Sequence, residues 1–212
     1  MDYRHHHQPA VTPGAPTLFL FHGTGGDETQ FLCLARQILP EAGLVAPRGD
    51  VLEMGAARFF RRLAEGRYDM DDLARATAKM RSLVASRRPA PAGDAPAPKT
   101  LGLGYSNGAN ILAATLFADP TLFDAVVLMH PLIPFEPEIA PGMAGRRVLI
   151  TAGRQDPICP PALTERLAES LAAAGALVET VWHPGGHEIR DAEIQTAAAF
   201  LRDAGETLGE PA

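Results

Sequence analysis

Short apolar runs that read as buried strands alternate along this chain with longer runs of helical spacing, and that alternation restricts the fold more than any other feature. Thr17-Leu18-Phe19-Leu20-Phe21 is an apolar run ending in a glycine-rich turn, the pattern of a central strand covered on both faces. Phe31, Leu34, Ala35 and Ile38 follow with helical spacing, and a short run, Leu44-Val45-Ala46, stops at Pro47. From Asp69 to about Ser86, Met70, Leu73, Thr77, Met80 and Val84 line one helical face, with Asp69 placed as its N-cap. Residues 88–99 are rich in proline and alanine and read as a loop. The second half repeats the alternation. Strands are predicted at 101–105, 125–129, 147–151 and 177–182, with helices after Ser106, from Pro160-Pro161 to Gly175, and through Ile194, Ala197, Ala198 and Leu201. The pattern predicts a mostly parallel central sheet with helices on both faces, an α/β fold in a single domain over 1–212. Residues 1–10 and 205–212 are expected to fray.

Charge and cysteine usage narrow the function. The formal net charge is −6, and the arginine pairs at 61–62, 87–88 and 146–147 are scattered, so no nucleic-acid footprint is expected. Cys33 and Cys159 cannot build a disulfide framework, which suits reduced thiols in a cytoplasmic enzyme. The opening Met1-Asp2-Tyr3-Arg4-His5 has no apolar segment of a secretory signal, and no run of about 18 apolar residues predicts a membrane span. In His5-His6-His7 neighbouring side chains of a strand would point to opposite faces, so no metal site is expected, only a ragged first strand or tail.

Gly104-Tyr105-Ser106-Asn107-Gly108 carries the chemistry. It is a G-x-S-x-G at a strand-to-helix junction, and Ser106 is one of four serines in the chain. A serine in so sharp a turn brings the residues two positions either side against the neighbouring strand and helix, where glycine avoids the collision. A serine hydroxyl needs a base, and in this arrangement acid and base follow in the order Ser, Asp, His. Asp156 comes directly after the strand ending near Thr151, at the carboxyl edge of the sheet where open α/β folds place their sites. His187, in Pro184-Gly185-Gly186-His187, lies on a loop able to bring an imidazole to that edge. His183 is the rival base, but it belongs to the strand end. His130 precedes Asp156 and reads as capping a strand near the pocket wall. His22-Gly23-Thr24-Gly25-Gly26 ends the first long strand and presents backbone N–H groups, so the oxyanion donors are assigned to Thr24 and Asn107, with His22 structural. The glycines lack the G-K-[ST] or G-x-G-x-x-G of a nucleotide site.

Together these residues resemble the phospholipase/carboxylesterase (dienelactone-hydrolase-like) family of the α/β-hydrolase superfamily, from Leu18-Phe19-Leu20-Phe21-His22-Gly23 through Gly104-Tyr105-Ser106-Asn107-Gly108-Ala109-Asn110 to His187. The elbow and Arg58-Phe59-Phe60-Arg61 look most like its small bacterial carboxylesterase branch. The resemblance implies a Ser-Asp-His triad, no cofactor, a small-molecule ester substrate and often a homodimer. Thioesterase or lysophospholipase activity is the alternative at the same triad. Dienelactone-hydrolase chemistry itself fits less well, because that group generally carries cysteine where Ser106 stands; a non-catalytic ligand-binding homologue is the alternative outside enzymes. Only about seventeen residues separate Met129 from the next strand, too few for a lid domain. An apolar wall for the substrate is expected from Leu132, Ile133 and Phe135 of that loop and from Met54, Phe59 and Phe60.

Overall fold

In the computed structural model, which describes residues 3–206 except 92 and 94, the chain runs through β1 (His5–Gln8), β2 (Thr17–Phe21), α1 (Leu32–Ile38) and β3 (Gly43–Pro47). Two small hairpins follow, β4 (Val51–Glu53) with β5 (Ala56–Arg58) and β6 (Arg62–Ala64) with β7 (Arg67–Tyr68). Then come α2 (Met70–Arg87), β8 (Thr100–Tyr105), α3 (Asn107–Ala118), β9 (Ala125–Met129), β10 (Arg147–Gly153), α4 (Pro161–Ala173), β11 (Leu177–His183) and α5 (Asp191–Gly205). One sheet takes seven strands in the order β1-β3-β2-β8-β9-β10-β11. All its neighbours are parallel except the edge pair β1–β3.

Leucine and phenylalanine alternate along β2, and the pleat sends them to opposite faces. Leu18 and Leu20 join Ala35, Ile38, Ala197 and Leu201 under α1 and α5. Phe19 and Phe21 join Met80, Ile111, Phe123 and Leu167 under α2, α3 and α4. Burial on both faces is why the strand reads as one continuous apolar run. The start of α2 is fixed by Asp69, whose carboxylate accepts the Asp72 N–H, while Asp71 and Asp72 lie at the positive end of the helix dipole. Residues 130–146, between β9 and β10, hold no helix or strand, in keeping with the expected absence of a lid. No helix among the described residues is long and apolar enough to cross a membrane.

One expectation needs correction. Residues 3–10 do not fray: β1 pairs with β3, and Tyr3 is buried, its hydroxyl donating to the Ala76 carbonyl at 3.4 Å. The histidines of this edge strand give no apolar alternation, so its backbone pairing was invisible in the side chains. At the other end Gly205 closes α5, and residues 207–212 lie outside the described residues. The hairpins of residues 51–68 were also unassigned, because strands of two or three residues are too short to show a period. Met54 and Gly55 form the two-residue turn of β4–β5 with positive φ at both, 48° and 84°, the backbone of a type I′ turn. Met54 is consequently 97% exposed.

Phe59 has the opposite environment, fully buried against the rings of Tyr3, Phe21 and His22. Phe59→Ala is expected to lower the unfolding free energy by about 3–5 kcal/mol, read from urea denaturation, while Met54→Ala changes it by less than about 0.5 kcal/mol. Equal effects of the two substitutions would contradict this packing.

Candidate active site

From β2 the chain moves outward to β3 and later returns to β8 on the other side of β2, so the loops after β2 and β8 part at a topological switch point. Open α/β sheets bind ligands in the crevice this creates. The turn from β8 into α3 places Ser106 there with φ 52° and ψ −118°, a strained backbone for a residue with a side chain. The flanking glycines permit the turn. A Cβ on Gly108 would lie 2.2 Å from the Phe21 carbonyl oxygen, and one on Gly104 would lie 2.7 Å from the Gly108 carbonyl oxygen.

The structure brings all three predicted side chains together. His187 Nε2 lies 2.9 Å from Ser106 Oγ, and His187 Nδ1 lies 2.7 Å from Asp156 Oδ2. A carboxylate beside Nδ1 keeps the proton on that nitrogen, so Nε2 is free to accept the serine proton. The loop is steadied by Tyr105, whose hydroxyl donates to the His187 carbonyl at 2.8 Å and whose ring lies 5.4 Å from the imidazole. Asp156 is fixed in turn: Oδ1 accepts the N–H groups of Ile158 and Cys159 at 2.8 and 2.9 Å. Burial alone would raise its pKa, but these N–H groups together with His187 and His130 hold the carboxyl below its ordinary value. Cys159 is buried beside the site, its Sγ 3.8 Å from His187 Nδ1, and burial pushes its thiol pKa up, away from the reactive thiolate.

Thr24 and Asn107 border the same cavity as Ser106 and His187. Among the described residues their N–H groups donate to no acceptor, whereas those of Gly25 and Gly26 are spent on Ala57 and Gly23. The side chains of both residues are anchored at the end of β5. Arg58 Nη1 donates to Thr24 Oγ1 at 2.9 Å, and the Phe59 N–H donates to Asn107 Oδ1 at 2.8 Å. His22 is structural, as expected. Its Nε2 accepts the Gly49 N–H at 2.9 Å and its Nδ1 donates to the Gly23 carbonyl at 2.7 Å, the neutral tautomer that its burial, by lowering the pKa, favours.

The substrate wall is where the sequence reading fails. The cavity is about 240 Å³ and mixes Arg58, Arg62 and Glu65 with Tyr68, Leu132 and Ile158. Of the six expected wall residues only Leu132 borders it. Met54 is exposed at the hairpin tip and does not line the cavity, while Phe59, Phe60 and Ile133 are buried in packing. Phe135 borders a separate hollow beside α2 and α3, together with Met70 and Phe117. Apolar residues of that segment complete the core, and the polar residues around them face the cavity.

One buried group, Glu193, escaped the sequence, and it links the two histidines weighed there. His183, the rival base, lies 3.2 Å from Glu193, whereas the imidazole on Ser106 Oγ is that of His187. Glu193 also lies 3.0 Å from His130 Nε2, and His130 Nδ1 lies 3.1 Å from Asp156 Oδ2. Glu193 sits in the first turn of α5, where an acid normally reads as a solvated cap; its carboxylate does accept the Arg190 N–H at 2.9 Å. Among the described residues, His130 with Asp156 and His187, and His130 with His183 and Glu193, bring three potential ligand atoms within 4.8 Å of one another. Both groups are accounted for as imidazole–carboxylate pairs, and no metal is assigned to either.

With that geometry in place, comparison with known proteins is informative. The family model for the dienelactone hydrolase family matches residues 8–195. MhqD of Bacillus subtilis (strain 168), named as a hydrolase, is 38% identical over 187 residues, which cover 88% of this chain and 92% of that protein. A solved protein of unknown function from Agrobacterium tumefaciens is 55% identical, with a TM-score of 0.87 over 96% of this chain and 97% of its own. A Bacillus cereus carboxylesterase is 36% identical, with a TM-score of 0.86 over 95% of this chain and 94% of its own.

The turn at Ser106 yields a direct test. Gly108→Ala is expected to lower the unfolding free energy in urea by more than about 2 kcal/mol, because neither backbone can yield without losing the turn. A change below about 0.5 kcal/mol would show that the contact with Phe21 is relaxed.

Proposed function

The chain belongs to the dienelactone hydrolase family, and from that premise we propose that it is a serine carboxylesterase acting on small esters through an acyl-enzyme. The observation that carries the proposal is the unbroken contact chain from Ser106 Oγ through His187 to Asp156, at 2.9 and 2.7 Å, beside two unspent N–H groups. Ser106 attacks the ester carbonyl while His187 Nε2 takes its proton. The N–H groups of Thr24 and Asn107 hold the oxyanion that forms. His187, now cationic and steadied by Asp156, gives the proton to the departing alcohol, and water repeats the sequence to release the acid. Similarity to a carboxylesterase and to a protein named as a hydrolase supports this reaction class. Membership of the family does not carry its name's substrate to this chain, since serine occupies the nucleophile position.

Cavity size supports the small end of the substrate range. A volume of about 240 Å³ falls below the ~300–1,000 Å³ common for drug-sized ligands. Its arginines and glutamate suit a short acyl group better than a long hydrocarbon chain.

A fluorophosphonate probe tests the nucleophile. It is expected to label Ser106, with labelling abolished in Ser106→Ala and His187→Ala, and both substitutions should lower kcat/KM by at least about 1,000-fold. Loss of labelling in His183→Ala but not in His187→Ala would overturn the base assignment. Absence of labelling in folded wild-type protein would favour a ligand-binding homologue instead.

A series of p-nitrophenyl esters tests the cavity. Going from the butyrate to the decanoate is expected to lower kcat/KM at least about 10-fold. A rise with chain length would contradict the small-ester reading, and faster turnover of a butyryl thioester than of the butyrate ester would favour the thioesterase.

A further inference from the structure

The proposed reaction uses three side chains and leaves three other buried titratable groups without a task. His130 at the end of β9, Glu193 in α5 and His183 at the end of β11 are 0%, 1% and 8% exposed. They stand in file behind the site. Asp156 Oδ2 faces His130 Nδ1 at 3.1 Å, His130 Nε2 faces Glu193 Oε1 at 3.0 Å, and Glu193 Oε2 faces His183 Nε2 at 3.2 Å. The two contacts with Glu193 are ion-pair contacts in which the N–H bonds do not point straight at the oxygens. His183 Nδ1 accepts the Gly185 N–H at 3.0 Å, which places a neutral His183's proton on the nitrogen facing Glu193.

Two features tie this file to the reaction. The Asp156 oxygen beside His130 is the one beside His187, so both imidazoles share Oδ2. His130 also has a positive φ of 50°, with its N–H held by the Thr151 carbonyl at 2.8 Å. A strained conformation that places a buried ring on a shared carboxylate oxygen is characteristic of a functional site.

Around His130 stand Asp156, Glu193, His183, His187 and Tyr105, and the Cys159 thiol donates to its carbonyl at 3.3 Å. Burial favours neutral imidazole, but Glu193 and Asp156 outweigh it and raise the His130 pKa. With His130 protonated between the two carboxylates that it faces, Asp156⁻, His130⁺ and Glu193⁻ sum to one negative charge, the same as an isolated Asp156. His130 alone would cancel the charge that His187 requires when it becomes cationic, and Glu193 restores it.

We propose that His130 and Glu193 are positioning residues of the hydrolytic site, their ion pair fixing Asp156 Oδ2 and keeping the charge behind His187 at minus one. This rests on the triad reading above. It makes the two single substitutions act in opposite directions. Glu193→Gln leaves a sum of zero while His130 stays cationic, so protonation of the catalytic base is disfavoured. His130→Gln leaves minus two, so protonation is favoured. The double substitution returns the sum to minus one.

The test is the pH dependence of kcat/KM for p-nitrophenyl butyrate and of fluorophosphonate labelling, in variants whose folding is checked by circular dichroism. The acid limb is expected to move down by at least about 0.5 pH unit in Glu193→Gln and up by a similar amount in His130→Gln. It should return towards the wild-type position in the double variant and stay there in His183→Asn. Limbs that do not move, or that move the same way in both single variants, would overturn the proposal while labelling of wild-type Ser106 kept the triad intact. If one single variant fails to fold, the other decides: a limb displaced in its stated direction supports the charge balance, and a limb that stays in place or moves the opposite way overturns it. Failure of wild-type protein to label would remove the triad reading itself.

Discussion

The approach of the first turn of α3 to the end of β2 is the contact on which the site depends. Gly108 lies so close to the Phe21 carbonyl that no side chain fits between them. That proximity bends the backbone at Ser106 into a conformation a serine does not adopt freely, and holds it there. The parallel pairing of β2 with β8 supplies the support, with five consecutive residue pairs from Thr17–Thr100 to Phe21–Gly104. The buried leucines and phenylalanines of β2 therefore do more than stabilise the sheet. They fix the position from which the serine hydroxyl projects, and the same strand end carries Thr24.

Around that turn the polar groups are organised in two anchored sets. Arg58 and Phe59 hold the side chains of Thr24 and Asn107, two residues that border the cavity and whose N–H groups have no acceptor among the described residues. Asp156 is held by two backbone N–H groups and shared between two imidazoles. In the proposed reaction, preorganised dipoles of this kind would act on developing charge without reorganising. Holding so many ionisable groups in the interior is costly. The arrangement limits that cost by alternating carboxylate and imidazole, so that Asp156 and Glu193 each face two imidazoles.

Legibility in the sequence followed length and periodicity. Strands Thr17–Phe21 and Ala125–Met129 were readable because both faces are covered, and α2 because eighteen residues give several turns of spacing. The turn at Ser106 was readable because its glycines answer a steric demand that few other contexts impose. What could not be read were features made by tertiary contact. Strand β1 is held by backbone pairing under polar side chains, and the short hairpins carry no period. Aromatic residues 59 and 60 gave the same sequence signal whether they met substrate or core, and burial assigned them to the core. Glu193 lies 37 positions after Asp156 in the chain, and only the crossing of α5 under the sheet brings it to His130.

The central claim concerns where the reacting atoms sit, and a crystal structure of the protein after reaction with a small alkyl phosphonate measures that directly. The account predicts phosphorus bonded to Ser106 Oγ, with the phosphoryl oxygen within about 3 Å of the Thr24 and Asn107 nitrogens. It also predicts His187 and His130 still sharing Asp156 Oδ2. Phosphorus on another side chain, or a phosphoryl oxygen turned away from those two N–H groups, would contradict it.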